Sequence, residues 1–173
     1  MTSNENITLC GSSDIIIEFF EYCINSDERV QNYISGILEQ VKKWIESQSI
    51  KKLILAIMSK DKNDVLERWQ FDIQIQNDSN YGYIREKNES QIQNEIQTIL
   101  RQLSASISYL PVLEVPCTFK VLAYTNKNAD VPKSWVDSDP KYIKHNQEQV
   151  NLRSFSTPYH SVGAMVSYRF RDY

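Results

Sequence analysis

Glycine is scarce in this 173-residue chain: Gly11, Gly36, Gly82 and Gly163 are the only four. Neither GxGxxG nor a P-loop pattern can be built from them, which argues against a nucleotide held by a glycine-rich loop. Histidine is scarcer, with only His145 and His160, and neither has a second histidine four residues away or an HExxH frame. Cys10, Cys23 and Cys117 stand far apart with no CxxC pair, so neither a zinc motif nor a disulfide framework is suggested, and reduced thiols are the simpler expectation. No cofactor and no metal is expected. Basic residues do not outnumber acidic ones, at 19 against 22 and a net charge of −3. That gives no support to a nucleic-acid partner, because neutralising phosphates needs a basic surface. No run approaches the ~20 apolar residues that span a bilayer, and Met1 to Asn6 has no basic segment ahead of an apolar run. We expect no membrane partner.

What the chain has is clear periodicity. Gly11-Ser12-Ser13-Asp14 supplies helix N-cap candidates, and Ile16, Phe19, Phe20, Cys23 and Ile24 follow on one helical face. Asn25-Ser26-Asp27 reads as a break. Val30, Tyr33, Ile34, Ile37, Leu38, Val41, Trp44 and Ile45 predict a second helix. The period then changes. Leu53 to Met58 is a continuous apolar run, expected as a strand buried on both faces, and Trp69, Phe71, Ile73 and Ile75 alternate along Val65 to Ile75. The turn Asp61 to Asp64 between them suggests a hairpin. After a polar loop from Gln76 to Tyr83, Ile92, Ile96, Ile99, Leu100, Leu103 and Ile107 predict a third helix that Pro111 ends. Cys117 to Tyr124 alternates as a strand. Val131 to Gln149 is long, irregular and charged, and Val150 to Ser156 and Val162 to Phe170 are strand candidates. Helices and hairpin-linked strands without βαβ alternation predict an α+β fold.

No pattern of catalysis emerges. Glu67 and Asp72 lie in a strand that needs no catalytic explanation. Cys23 and Cys117 fall in apolar patterns and are expected to pack. Trp44 and Trp69 are expected in the core, whereas Trp135, in Pro132-Lys133-Ser134-Trp135, either pins the irregular stretch to the domain or contacts a partner. Arg101 and Gln102, late in the third helix, read from the residues alone as a solvated face.

Several stretches carry a resemblance. They are Ile7-Thr8-Leu9-Cys10-Gly11-Ser12, Leu66-Glu67-Arg68-Trp69-Gln70-Phe71-Asp72, Ile99-Leu100-Arg101-Gln102-Leu103, Tyr109 to Val115, Val131 to Trp135, and Leu152-Arg153-Ser154-Phe155-Ser156-Thr157. In this order the chain resembles the HORMA-domain family, in its spindle-assembly-checkpoint (mitotic-arrest-deficient) branch. The resemblance implies one domain over 1–173, with about three helices on a mainly antiparallel sheet. It implies a flexible N-terminal arm over 1–11 and a mobile C-terminal safety belt over 126–173. It implies a non-enzymatic adaptor that captures partner peptides by strand addition and belt closure and inhibits the anaphase-promoting-complex activator.

The residues implied in peptide binding are Phe119, Val121, Leu122 and Tyr124 on the receiving strand, and Trp135, Arg153, Phe155 and His160 in the belt. Arg101, Gln102 and Tyr109 match a dimerisation face, which reverses the bland reading of Arg101. The implied partners are a coiled-coil recruiter at kinetochores, the anaphase-promoting-complex activator, a second copy in the other of two belt arrangements, and an AAA-type ATPase whose adaptor grips the N-terminal arm. Nucleus, kinetochore and cytoplasm are the implied locations. The chain departs from the family between Ser26 and Asp27, where family members carry an extra segment that finishes the first helix and forms a small hairpin. Other readings are a HORMA adaptor of a translesion polymerase or the meiotic axis, a small hydrolase or transferase using His160 within Ser156 to Ser161, and a defective, dominant-negative or non-folding product of the shortening.

Overall fold

The apolar periodicities become three helices and a six-stranded sheet. The computed structural model describes residues 7–23, 28–76 and 87–170; the break at 25–27 and most of the polar loop after Gln76 lie outside them. Helix α1, Leu9–Cys23, starts earlier than the sequence suggested. Thr8 is the residue that caps it, its Oγ1 accepting the Gly11 N–H at 3.0 Å. Ser12 and Ser13 are therefore buried inside the helix rather than at its start, and Leu9 to Gly11 are helical rather than part of an arm. Residues 1–6 of that expected arm lie outside the described residues.

Helix α2, Glu28–Glu46, buries Ile34, Leu38, Val41, Trp44 and Ile45 on one stripe. Helix α3, Glu89–Ala105, opens with a reciprocal capping box between Asn88 and Gln91 and buries Ile92, Ile96 and Ile99. The predicted stripe fails at its end. The chain tightens into a 3-10 turn at Ser106–Ser108, where residues recur every third position. Ser106 takes the buried place, with its Oγ donating to the Leu103 carbonyl, and Ile107 is left 82% exposed.

Strands β1, Ile50–Ser59, and β2, Val65–Ile75, form the expected antiparallel hairpin. Strand β3, Cys117–Thr125, pairs with β1, and β6, His160–Arg169, pairs with β2. The strand expected over Val150 to Ser156 is two pieces, β4, Gln147–Asn151, and β5, Phe155–Ser156, both pairing with β6. The order across the sheet is β3-β1-β2-β6-β4, and every pairing is antiparallel.

Alternation gives the sheet two unlike faces. Leu53, Phe71, Ile73, Val162 and Ala164 point to the helices and join Ile16, Phe19, Phe20 and Phe155 in the main core. Ile54, Ala56, Met58, Val65 and Leu122 form a smaller cluster on the opposite face, closed by Ile143.

Candidate interaction edge and its strap

Among the described residues, strand β3 lies at one end of the sheet order and has a strand neighbour, β1, on one side only. An edge of this kind presents backbone N–H and C=O groups that another extended chain can pair with. Of the residues expected on the receiving strand, Phe119 and Val121 face the helical layer, where the Tyr33 ring lies 6.0 Å from that of Phe119. Leu122 and Tyr124 face the other way, toward Ile143. All four thus flank one edge, on its two sides.

From the end of β3, residues 126–146 form a strap with no regular structure. Its first half is held on the helical side. Asn126 N–H donates to the Ser49 carbonyl at 2.7 Å, and Trp44 Nε1–H donates to the Asp130 carbonyl at 2.8 Å. Trp135 stacks edge-on against Trp44, with ring centroids 4.9 Å apart, so of its two readings the structure realises the pin. The second half is held on the opposite face. Arg68 Nε–H donates to the Pro140 carbonyl at 3.2 Å, its guanidinium lies 4.8 Å from the centre of the Tyr142 ring, and Ile143 is buried. Residues 136–139 therefore carry the chain from one layer to the other, and Val136 among them is 84% exposed. The strap then enters β4 at the far end of the sheet.

The remaining belt residues lie away from β3. Phe155 packs in the core with its ring 4.9 Å from that of Phe19. His160 is 1% exposed, and its Nδ1 lies 2.7 Å from Ser12 Oγ, which also lies 2.5 Å from Thr157 Oγ1. Thr157 Oγ1 further accepts the N–H groups of Tyr159 and His160. Among the described residues, His160 Nε2 is buried with no hydrogen-bond partner. Burial holds the imidazole pKa below its ordinary value, and the nearby Ile45 backbone offsets only part of this. A hydroxyl beside an imidazole can be a nucleophile and its base. Here both are buried between α1 and β6, so the contact ties these two elements together. Arg153 is exposed, and its backbone N–H donates to Gln102 Oε1 at 2.7 Å.

Gln102 is thus engaged with the C-terminal segment of its own chain. Arg101 beside it is exposed. Tyr109 sits at the end of the 3-10 turn with its ring 6.0 Å from that of Tyr168; among the described residues its hydroxyl is buried without a hydrogen-bond partner, and burial together with Glu67 raises its pKa. Cys23 is half-buried and its thiol is pushed up to about 12 by burial, which makes it a poor nucleophile at neutral pH. Cys117 is also half-buried, with its thiol donating to the Val115 carbonyl.

Sequence reasoning missed Ser12, Thr157 and Ile143. Ser12 carried a signal: it lies four residues before Ile16, a polar residue on an apolar stripe, which is where a buried hydrogen bond is needed. Ile143 was a lone large aliphatic residue in a charged stretch.

The HORMA domain model matches residues 21–160. The mitotic spindle checkpoint component mad2 of Schizosaccharomyces pombe is 39% identical over 193 residues, covering 95% of this chain and 95% of the relative. Human mitotic spindle assembly checkpoint protein MAD2A is 36% identical over 197 residues, covering 98% and 96%. A chain of the mitotic checkpoint complex crystal structure superposes with a TM-score of 0.82 at 39% identity, covering 92% of this chain and 99% of that one. Caenorhabditis elegans HTP-1 bound to HTP-3 motif-1 shares the fold at 12% identity, with a TM-score of 0.64 over 84% of this chain and 71% of that one.

Proposed function

The chain belongs to the HORMA-domain family, among the mitotic spindle checkpoint proteins, and from that premise we propose that it captures partner peptides along β3 and holds them with the strap. The observation that carries this reading is the path of residues 126–146. They leave β3, attach to α2, round to the opposite face and end in strands on the far side of β2. A peptide added to β3 would gain backbone hydrogen bonds, with Phe119 and Val121 on one side and Leu122 and Tyr124 on the other. It would also cover Val136.

In this reading the described arrangement is the closed one, with the C-terminal hairpin on β2 and the β3 edge ready for a strand. The partner at the edge is the anaphase-promoting-complex activator, which the chain inhibits, or the coiled-coil recruiter at kinetochores. The family is one of checkpoint adaptors and not a known enzyme family. The relatives imply a kinetochore-associated role in cell division, and the compartments we propose are nucleus and cytoplasm. One HORMA domain over 1–173 carries the strap as part of the belt 126–173. The handle for an AAA-type ATPase is the stretch ahead of α1, shorter than 1–11 because Leu9 to Gly11 are helical. Arg101 and Tyr109 would serve pairing with a second copy, and Gln102 would report belt position to that face through Arg153.

The test is surface-plasmon-resonance binding of synthetic peptides from the activator and the recruiter. Wild-type protein should capture them and release them slowly. Trp135→Ala should speed release about tenfold or more, since the Trp44 contact that fixes the strap is lost. Equal release from both proteins would sink the strap reading.

A further inference from the structure

The two sides of the β3 edge differ in charge. Phe119, Val121 and Ala123 pack with the helical core, so Thr118, Lys120, Leu122 and Tyr124 alternate onto the outer face. The strap covers one end of that row, where Leu122 and Tyr124 pack with Ile143. Thr118 and Lys120 stay exposed. Lys120 is the only charged residue in the strand.

No neighbour on the sheet neutralises it. Lys120 stands in register with Ala56 on β1 and, through it, with Arg68 on β2. Two cations therefore share one outer row, two strand spacings or about 10 Å apart along the backbone. The Arg68 guanidinium is held by neutral groups: the Pro140 carbonyl, the Gln70 side chain and the Tyr142 ring. The rows on either side are Thr118, Met58 and Val65, and Leu122, Ile54 and Gln70, with no carboxylate in them. Asp72, one row further, faces Lys52, and Asp139 of the strap pairs with Lys141. Among the described residues, no carboxylate forms an ion pair with Lys120. The outer margin of this edge is thus a positive field, open toward whatever strand adds there.

We infer that β3 selects extended peptides whose residue beside Lys120 is Asp or Glu, with an apolar residue on each side of it. This rests on the capture reading above and names the ligand chemistry that reading leaves open. A strand added to β3 lies about 4.8 Å away, so its residue opposite Lys120 shares the outer face. That residue's two neighbours in sequence turn to the helical side, against Phe119 and Val121. The acidic side chain supplies the anion the row lacks, whereas a basic one adds a third cation to it. A lysine on an edge strand has another use, which is to repel unwanted strands. The two uses differ in what they discriminate. A guard weakens every added strand, and a reader weakens only strands of the wrong charge.

The experiment takes the activator peptide and replaces its residues one at a time by Glu and by Lys. Capture by the full chain is read by surface plasmon resonance. At one position, wild-type protein should bind the Glu peptide about fivefold more tightly than the Lys peptide, and high salt should shrink that ratio. Glu at either neighbouring position should weaken binding about tenfold or more, because it brings a charge against Phe119 or Val121. Lys120→Glu should reverse the charge order at the same position and leave the others unmoved, and Lys120→Gln should abolish it. Lys120 is exposed, so both variants keep the fold. Three results would overturn the inference while leaving capture in place: no position with a charge preference, the same charge order in wild type and Lys120→Glu, or a Lys120→Gln variant that binds every peptide more tightly by one factor. Failure of wild-type protein to hold the unmodified peptide would remove the capture reading and this inference together.

Discussion

At the scale of residues, His160 is the most exacting position. Burial disfavours the charged imidazole, and the Ile45 backbone offsets only part of that cost. The pKa of the ring is therefore depressed in the folded state. The unfolded chain binds the proton more readily, so stability from this group is present above the ordinary histidine pKa and is lost as pH falls below about 6.5. Urea titrations between pH 7.5 and 5 should show this decline, and His160→Gln should flatten it; an unchanged slope in the variant would remove His160 from the account. Phe155 is governed by packing alone. It is buried against Phe19, and Phe155→Ala should cost about 3–5 kcal/mol by chemical denaturation, as truncation of a core aromatic does. Neither residue announced its place. Phe155 was legible as belt and strand sequence but not as a core residue, because its partner Phe19 lies more than a hundred positions away and no local pattern links them.

At the scale of elements, what could be read from the chain was what repeats. The stripe from Ile34 to Ile45 and the alternation from Trp69 to Ile75 each bury several residues on one face, so the period survives local noise. What could not be read was held by single contacts over long separations, such as Trp44 to Asp130 and Arg68 to Pro140. Strand β4 begins on Gln147, Glu148 and Gln149, all exposed, so hydrophobic alternation could not mark its start. The end of α3 was misread because a 3-10 turn changes the spacing that the helix had kept. The strap itself bends through left-handed backbone at Lys141 and Asn146, with φ of 55° and 51°. Asn tolerates that region and a β-branched residue does not, so Asn146→Val should cost about 1–2 kcal/mol. Loosening of the 140s, read as faster amide exchange there than in β1, is the expected signature.

At the scale of the whole molecule, the helical layer and the outer face are tied together by one crossing chain. Trypsin is a direct probe of that tie, because Lys133 and Lys144 lie exposed on the strap. Captured activator peptide should slow cleavage at both sites about fivefold or more, since cleavage follows the population of opened strap; unchanged cleavage would argue that the peptide binds elsewhere. The β2–β6 ladder, running from Glu67 with Tyr168 to Ile75 with His160, anchors the far end of the strap. In the proposed reading, a ligand enclosed by the strap would leave when either anchor of the strap gives way, the Trp44–Trp135 contact or that ladder. Its dwell time would then be set by the opening barrier of the host's own contacts, while ligand sequence would set how often capture succeeds. Affinity and duration are thereby separate dials, and a checkpoint signal could be lengthened by strengthening strands that the ligand never touches.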